Sequence, residues 1–208
     1  MQRYPGAYPC SRLIVLSCWL AATAVPLLLP STASAQKFEI KPVAEKKVDR
    51  LPAGPLFWRI DNFRTLAEAQ AAAGATALVA EVAGKVWLFT LGPEGQSIQG
   101  GSKVDEIGPV PPINAIEYLL RINNTGGPPE AKTPVHTHPG SETFYVLTGQ
   151  LSQKSPHGVS HVDAGQSMPG HGPGMPMEVS SSGITDLNAL VMFVVDATKP
   201  FSSAATMP

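Results

Sequence analysis

The stretch from His136 to Gly149 reads HTHPGSETFYVLTG, and its reading decides the fold. His136 and His138 stand two residues apart. Successive side chains of an extended chain point to opposite faces, so these two imidazoles share a face and can reach a common ion. Pro139-Gly140 then bends the chain. Beyond the bend, Glu142, Phe144 and Val146 alternate with Thr143, Tyr145 and Leu147, which puts Glu142 on the same face as two apolar residues. A carboxylate among inward apolar side chains is costly unless it is paired or bound to metal. Two neutral imidazoles plus one carboxylate suit Fe(II), Mn(II) or Zn(II), and they leave positions open for a substrate.

Outward from this stretch the chain keeps the same character. Apolar runs over 77–82 and 85–91 meet at Ala83-Gly84, a hairpin signal. Residues 100–107 form a weaker strand. Over 115–123, Ile116, Tyr118, Leu120 and Ile122 alternate with Glu117 and Arg121. Further short runs cover 151–154, 159–163, 177–181 and 187–196, each bounded by Gly, Pro or Ser. Many short strands at such spacing predict an all-β sandwich or barrel. No linker breaks the region, so 56–197 reads as one domain. Thr65, with Glu68 as a capping-box partner and Gly74 as a stop, predicts one short helix ahead of the strands. Residues 36–55 read as an extended N-terminal arm, and 198–208 as a frayed tail.

Residues 1–35 have a different reading. Arg3 and Arg12 precede an apolar run over 13–29, and Ala33-Ser34-Ala35 follows it. That pattern predicts a secretory signal peptide cut before Gln36, hence a periplasmic or secreted protein. Ser17, Thr23 and Pro26 interrupt the run and make it a poor permanent span. Val15-Leu16-Ser17-Cys18 offers a lipoprotein-type cut as an alternative. Cleavage after Ala35 removes both cysteines, Cys10 and Cys18, and with them any disulfide or thiolate. It also removes Arg3 and Arg12 from a chain of net charge -1. So mild a balance speaks against a nucleic-acid face and against a membrane patch on the mature chain.

All five histidines fall between His136 and His171, and three of the six methionines, Met168, Met175 and Met177, fall at the end of that window. His157 follows Ser155-Pro156 at a turn, and His161 lies in a strand with Asp163 on its face. Both read as structural or exposed. Tyr145 alternates away from Glu142 and reads as packing. Arg121 is expected to pair with Glu117, or else to line a pocket and meet a substrate anion. No G-x-S-x-G elbow, Walker sequence or G-x-G-x-x-G strand-helix unit competes with the histidine cluster, and Ser141 beside His138 is weak support for a hydrolytic triad.

The segment 136–149 resembles the first motif of the cupin superfamily: His-x-His, three or four residues, Glu, six residues, Gly. His136, His138, Glu142 and Gly149 match it, while Glu130 stands where the family usually carries a glycine. The second motif is matched by Gly165 at its start, and Met177 stands where the family has a histidine. The resemblance implies an antiparallel jelly-roll barrel that binds a divalent transition metal (Fe, Mn, Zn or Cu) through His136, His138 and Glu142. Met177 or His171 is the candidate fourth ligand. Met177 either coordinates a softer ion such as copper or only walls the site. The resemblance further implies a small-molecule metalloenzyme, with a dioxygenase favoured over an isomerase, and a homodimer. The alternative is a non-catalytic exported protein that binds a small ligand or a metal, with copper handled through Met168, His171, Met175 and Met177.

Overall fold

The computed structural model describes residues 37–207. The leader, its cleavage point, Cys10 and Cys18 lie outside the described residues. The chain begins with β1 (Glu39–Val48), β2 (Phe57–Phe63) and helix α1 (Leu66–Ala72). Thr65 caps the helix as its sequence requires: Oγ1 of Thr65 accepts from the Glu68 backbone N–H, and the Glu68 carboxylate accepts from that of Thr65, both at 3.2 Å. Then come β3 (Ala77–Val82), β4 (Lys85–Gly92) and β5 (Ser102–Ile107). These strands and β2 form an antiparallel sheet in the order β3-β4-β2-β5.

The rest of the chain supplies β6 (Tyr118–Gly127), β7 (His136–Thr137), β8 (Gly140–Thr148), β9 (Gln150–Ser155), β10 (Gly158–Asp163), β11 (Ser167–Pro169), β12 (Glu178–Ser181), β13 (Leu187–Asp196) and β14 (Ser203–Ala204). A five-stranded sheet runs β1-β6-β13-β8-β11, a three-stranded sheet runs β10-β9-β12, and β14 pairs with β7. Every ladder between these strands is antiparallel.

The five-stranded sheet is the middle layer, and β13 shows why. Leu190, Met192 and Val194 face the β2–β5 sheet and pack with Trp58, Trp87 and Phe89. Ala189, Val191, Phe193 and Val195 face the other way and pack with Phe144, Val146, Leu151 and Val179. A strand covered on both faces loses the apolar-polar alternation of a half-exposed one, so 187–196 reads as a nearly continuous apolar run. The five- and three-stranded sheets enclose the barrel interior. The β2–β5 sheet lies on the outer face of the larger sheet.

Two glycines of the motif answer to contact as well as to turn geometry. Gly149 has φ +74, and a Cβ there would stand 2.7 Å from the Asp186 carbonyl oxygen. Gly140 passes so close to β13 that a Cβ would meet the Val194 carbonyl oxygen at 2.1 Å.

The segments that flank the barrel region are both built into it. The arm 36–55 supplies β1, which pairs with β6 from Glu39↔Gly126 to Val48↔Tyr118. Without it β6 would present a row of unpaired backbone groups at the sheet edge. The tail 198–208 is not frayed where described: Ser203 pairs with Thr137 and Ala204 with His136. Ile116, expected on the apolar face of the strand, precedes β6 and is 89% exposed. No helix among the described residues is long and apolar enough to cross a membrane.

Candidate metal centre

His136 lies on β7 and His138 just past its end, with ring centroids 4.9 Å apart in an edge-to-face arrangement. Each ring is oriented by a backbone carbonyl. His136 Nδ1 donates to Pro134 O at 2.9 Å, and His138 Nδ1 donates to Phe201 O at 2.6 Å. A carbonyl only accepts, so both protons sit on Nδ1 and both Nε2 atoms keep a free lone pair. Proteins commonly fix metal-binding histidines in this way. The His138 ring is also flanked by Phe193 at 4.9 Å and Phe201 at 4.8 Å. Burial pushes its pKa down to about 4, against the raising effect of the Phe201 bond and with further lowering by His136 and Arg121. The imidazole is therefore neutral, as a ligand must be.

Glu142 enters from β8 and is 2% exposed. Its Oε2 stands 4.0 Å from His138 Nε2. Its Oε1 accepts a hydrogen bond from the Gln153 amide, which also reaches the Met177 sulfur at 3.4 Å. Burial pushes the Glu142 pKa up to about 8, and the bond from Gln153 pulls it only partly back. A cation bound beside it would favour the ionised carboxylate.

The donor set fits a borderline divalent ion: two nitrogen lone pairs and one buried carboxylate. The spacing is open. No group of three or more His, Cys, Asp or Glu side chains among the described residues is arranged to hold an ion. His138 Nε2 and Glu142 Oε2, 4.0 Å apart, would have to draw together to share one ion, and a glutamate χ rotation away from Gln153 would bring the carboxylate nearer.

Met177 lies beside His136. It pairs with His136, each backbone N–H donating to the other's carbonyl at 2.9 Å, and its side chain is 1% exposed. Its sulfur faces the Gln153 amide. His171 stands elsewhere, with its ring 6.1 Å from that of His157, and it does not line the cavity beside the two site histidines. Met168 packs on the barrel core through β11. His161 Nδ1 meets Ser152 Oγ at 2.6 Å, and Tyr145 packs against Trp87 at 6.1 Å. Arg121 does not pair with Glu117, whose partner is Lys47. It pairs instead with Glu45 of β1 at 2.7 Å and lies over the Phe201 ring at 4.2 Å.

His136, His138 and Glu142 open onto a cavity of about 480 Å³. Its wall is largely apolar, with Phe38, Phe144, Phe193 and Phe201 prominent, and Arg121 is the one permanent cation in it. Sequence reasoning missed Gln153 and Phe201. Gln153 carried a weak signal, since it alternates with the exposed Lys154 and shares a face with Leu151. Phe201 carried none beyond being an aromatic in the tail.

The strand order and pairing define an antiparallel barrel of two facing sheets, with His136, His138 and Glu142 opening onto its interior. No protein-family model matches the chain, and no curated protein does. Solved structures do. One is a cupin-like protein from Thermotoga maritima, 13% identical over 42% of this chain and 65% of its own, with a TM-score of 0.38. A second is an uncharacterised protein with a double-stranded β-helix domain from Klebsiella pneumoniae, 22% identical over 42% of this chain and 75% of its own, TM-score 0.36. A third is an oxalate oxidase in complex with the substrate analogue glycolate, 21% identical over 40% of this chain and 45% of its own, TM-score 0.32. The match spans less than two thirds of the length of the cupin-like protein and about half of that of the oxalate oxidase.

Proposed function

We propose that this protein is a small-molecule metalloenzyme in which His136, His138 and Glu142 hold one divalent transition metal, Fe(II), Mn(II) or Zn(II), beside an apolar cavity. One observation carries the reading: two imidazoles whose Nδ1 protons are committed to carbonyls present free Nε2 lone pairs next to a buried carboxyl group. When bound, such an ion supplies Lewis acidity and open coordination positions. The chain supplies the rest. The phenylalanine-rich wall takes an apolar substrate body and excludes water, and Arg121 offers a fixed positive charge at the cavity. Once the three ligands are engaged, Arg121 is the only titratable side chain left in the wall among the described residues, and it cannot act as a base. With a redox-active Fe(II) or Mn(II) in the site, that favours oxygenation over an isomerisation, which must carry a proton between substrate atoms.

The test is metal analysis of the purified protein, then a metal titration and an oxygen-uptake screen with small apolar substrates. Wild type should bind one equivalent of divalent metal. The His136→Ala/His138→Ala variant should lose it while keeping its strand signature, since the strand faces hold the barrel. Equal metal content in the two proteins would remove the site from consideration. A second reading, a non-catalytic ligand-binding barrel, draws on the open spacing of the donors and on Gln153 already engaging Glu142. It predicts ligand binding with no oxygen uptake in the metal-loaded protein.

A further inference from the structure

We infer that the C-terminal segment from Thr198 to Ala205 is a working part of the site, and that Phe201 is a positioning residue that sets the tautomer of His138 and roofs the cavity. The inference rests on the metal-centre reading for its purpose but not for its test.

The two site histidines are held by different means. The carbonyl that orients His136 belongs to Pro134, two residues away on the same run of chain. The carbonyl that orients His138 belongs to Phe201, brought from sixty-three residues further along the sequence. An unconstrained neutral imidazole prefers its proton on Nε2. Had His138 that proton, its only route to the ion would be blocked, and Nε2 would be free to donate to Glu142 4.0 Å away. The Phe201 carbonyl prevents this by claiming the proton at Nδ1.

The strap is anchored on both sides of Phe201. Upstream, Asp196 accepts from the Thr198 hydroxyl at 2.6 Å and from its backbone N–H at 3.0 Å, and the Asp196 N–H donates to Pro139 O at 3.0 Å. Downstream, β14 pairs with β7, and the Ala205 N–H donates to Val135 O at 3.1 Å. Between these anchors the Phe201 ring packs on His138 and Phe193 and lies beneath Arg121, which Glu45 holds in turn. Phe201, Ser202 and Ala204 all line the cavity. A tail that only covered the barrel would need none of these bonds to reach the histidine.

The experiment compares the full chain, a chain ending at Ala197, and a full-length Phe201→Ala/Ala205→Pro variant, which removes the ring and one anchoring N–H while leaving the chain length intact. Metal-free samples labelled with ¹⁵N in histidine are read by long-range ¹H–¹⁵N correlation, which reports the tautomer of each ring. The full chain should show Nδ1–H for both His136 and His138. Both altered proteins should show His138 moving toward Nε2–H, while His136, whose partner Pro134 O is two residues away, keeps Nδ1–H. Zn(II) affinity should fall about tenfold or more with the tautomer. An unchanged His138 tautomer in a folded altered protein overturns the inference. If the truncated chain does not fold, the double variant decides alone. If the full chain binds no Zn(II) yet His138 still changes tautomer, the metal reading fails and the positioning role of Phe201 stands.

Discussion

Glu142 accepts a hydrogen bond from Gln153, sits in an apolar wall, and has a pKa pushed up to about 8 by burial. The consequence for the metal-free protein has a definite sign. The folded state keeps a proton on Glu142 that the unfolded chain releases near the ordinary value of 4.5, so stability falls as pH rises from 4.5 to 8. His138 acts oppositely. Its folded pKa of about 4 lies below the ordinary 6.5, so the unfolded chain binds more protons between those values and stability falls as pH drops through them. The two effects oppose each other below pH 6.5, and of the pair only Glu142 acts from 6.5 to 8. Urea unfolding of the metal-free protein should therefore show stability declining over that upper window, and Glu142→Gln should flatten the decline. Parallel curves for the two proteins would mean that Glu142 is not buried as described. Met177 offers a second test at this scale. Its sulfur faces the Gln153 amide, so Met177→Leu should cost less than about 1.5 kcal/mol of stability and leave Zn(II) affinity unchanged. Selective loss of Cu(I) binding in that variant would instead make the thioether a ligand.

At the scale of elements, the β2–β5 sheet is the less expected part of the molecule, and its most exacting contact is ionic. Asp61 on β2 is fully buried and pairs with Arg59 two residues earlier, with Arg59 Nε donating to Oδ2 and Nη2 to Oδ1, each at 2.7 Å. Removing the carboxylate would leave a guanidinium only 12% exposed without its partner. Asp61→Ala should therefore cost about 3–5 kcal/mol. Thermal unfolding checks this, and a loss below about 1 kcal/mol would show that water reaches Arg59. The elements themselves were legible in proportion to how local their causes were. The capping box at Thr65 and Glu68, the hairpin at Ala83-Gly84 and the alternation through Glu142, Phe144 and Val146 are all decided within a few residues. The role of β1 was not legible, because Glu39 to Val48 is largely exposed and charged and acquires its strand from the edge of β6. The ordering of the tail was hidden for the same reason: its partner, β7, lies far back in the sequence.

On the scale of the whole molecule, the site draws on distant parts of the chain. His136, His138 and Glu142 were readable because they stand close together at a fixed spacing. Gln153 and Phe201 were not, since one is a polar residue in an ordinary strand and the other an aromatic beyond the last long strand. Their roles follow from how the sheets close, and no local pattern encodes that. Phe38 and Ile40 wall the cavity from one end of the described chain, and Phe201, Ser202 and Ala204 from the other. Chains are made from the N-terminus and tend to fold as they emerge. The front wall and both histidines are thus synthesised well before the carbonyl that orients His138. A chain halted between Glu142 and Phe201 would carry His136, His138 and Glu142 but not the carbonyl that His138 Nδ1 meets. On the proposed reading, His138 takes its orientation only after residue 201 has been added, so the order of synthesis sets the order in which the cavity is completed.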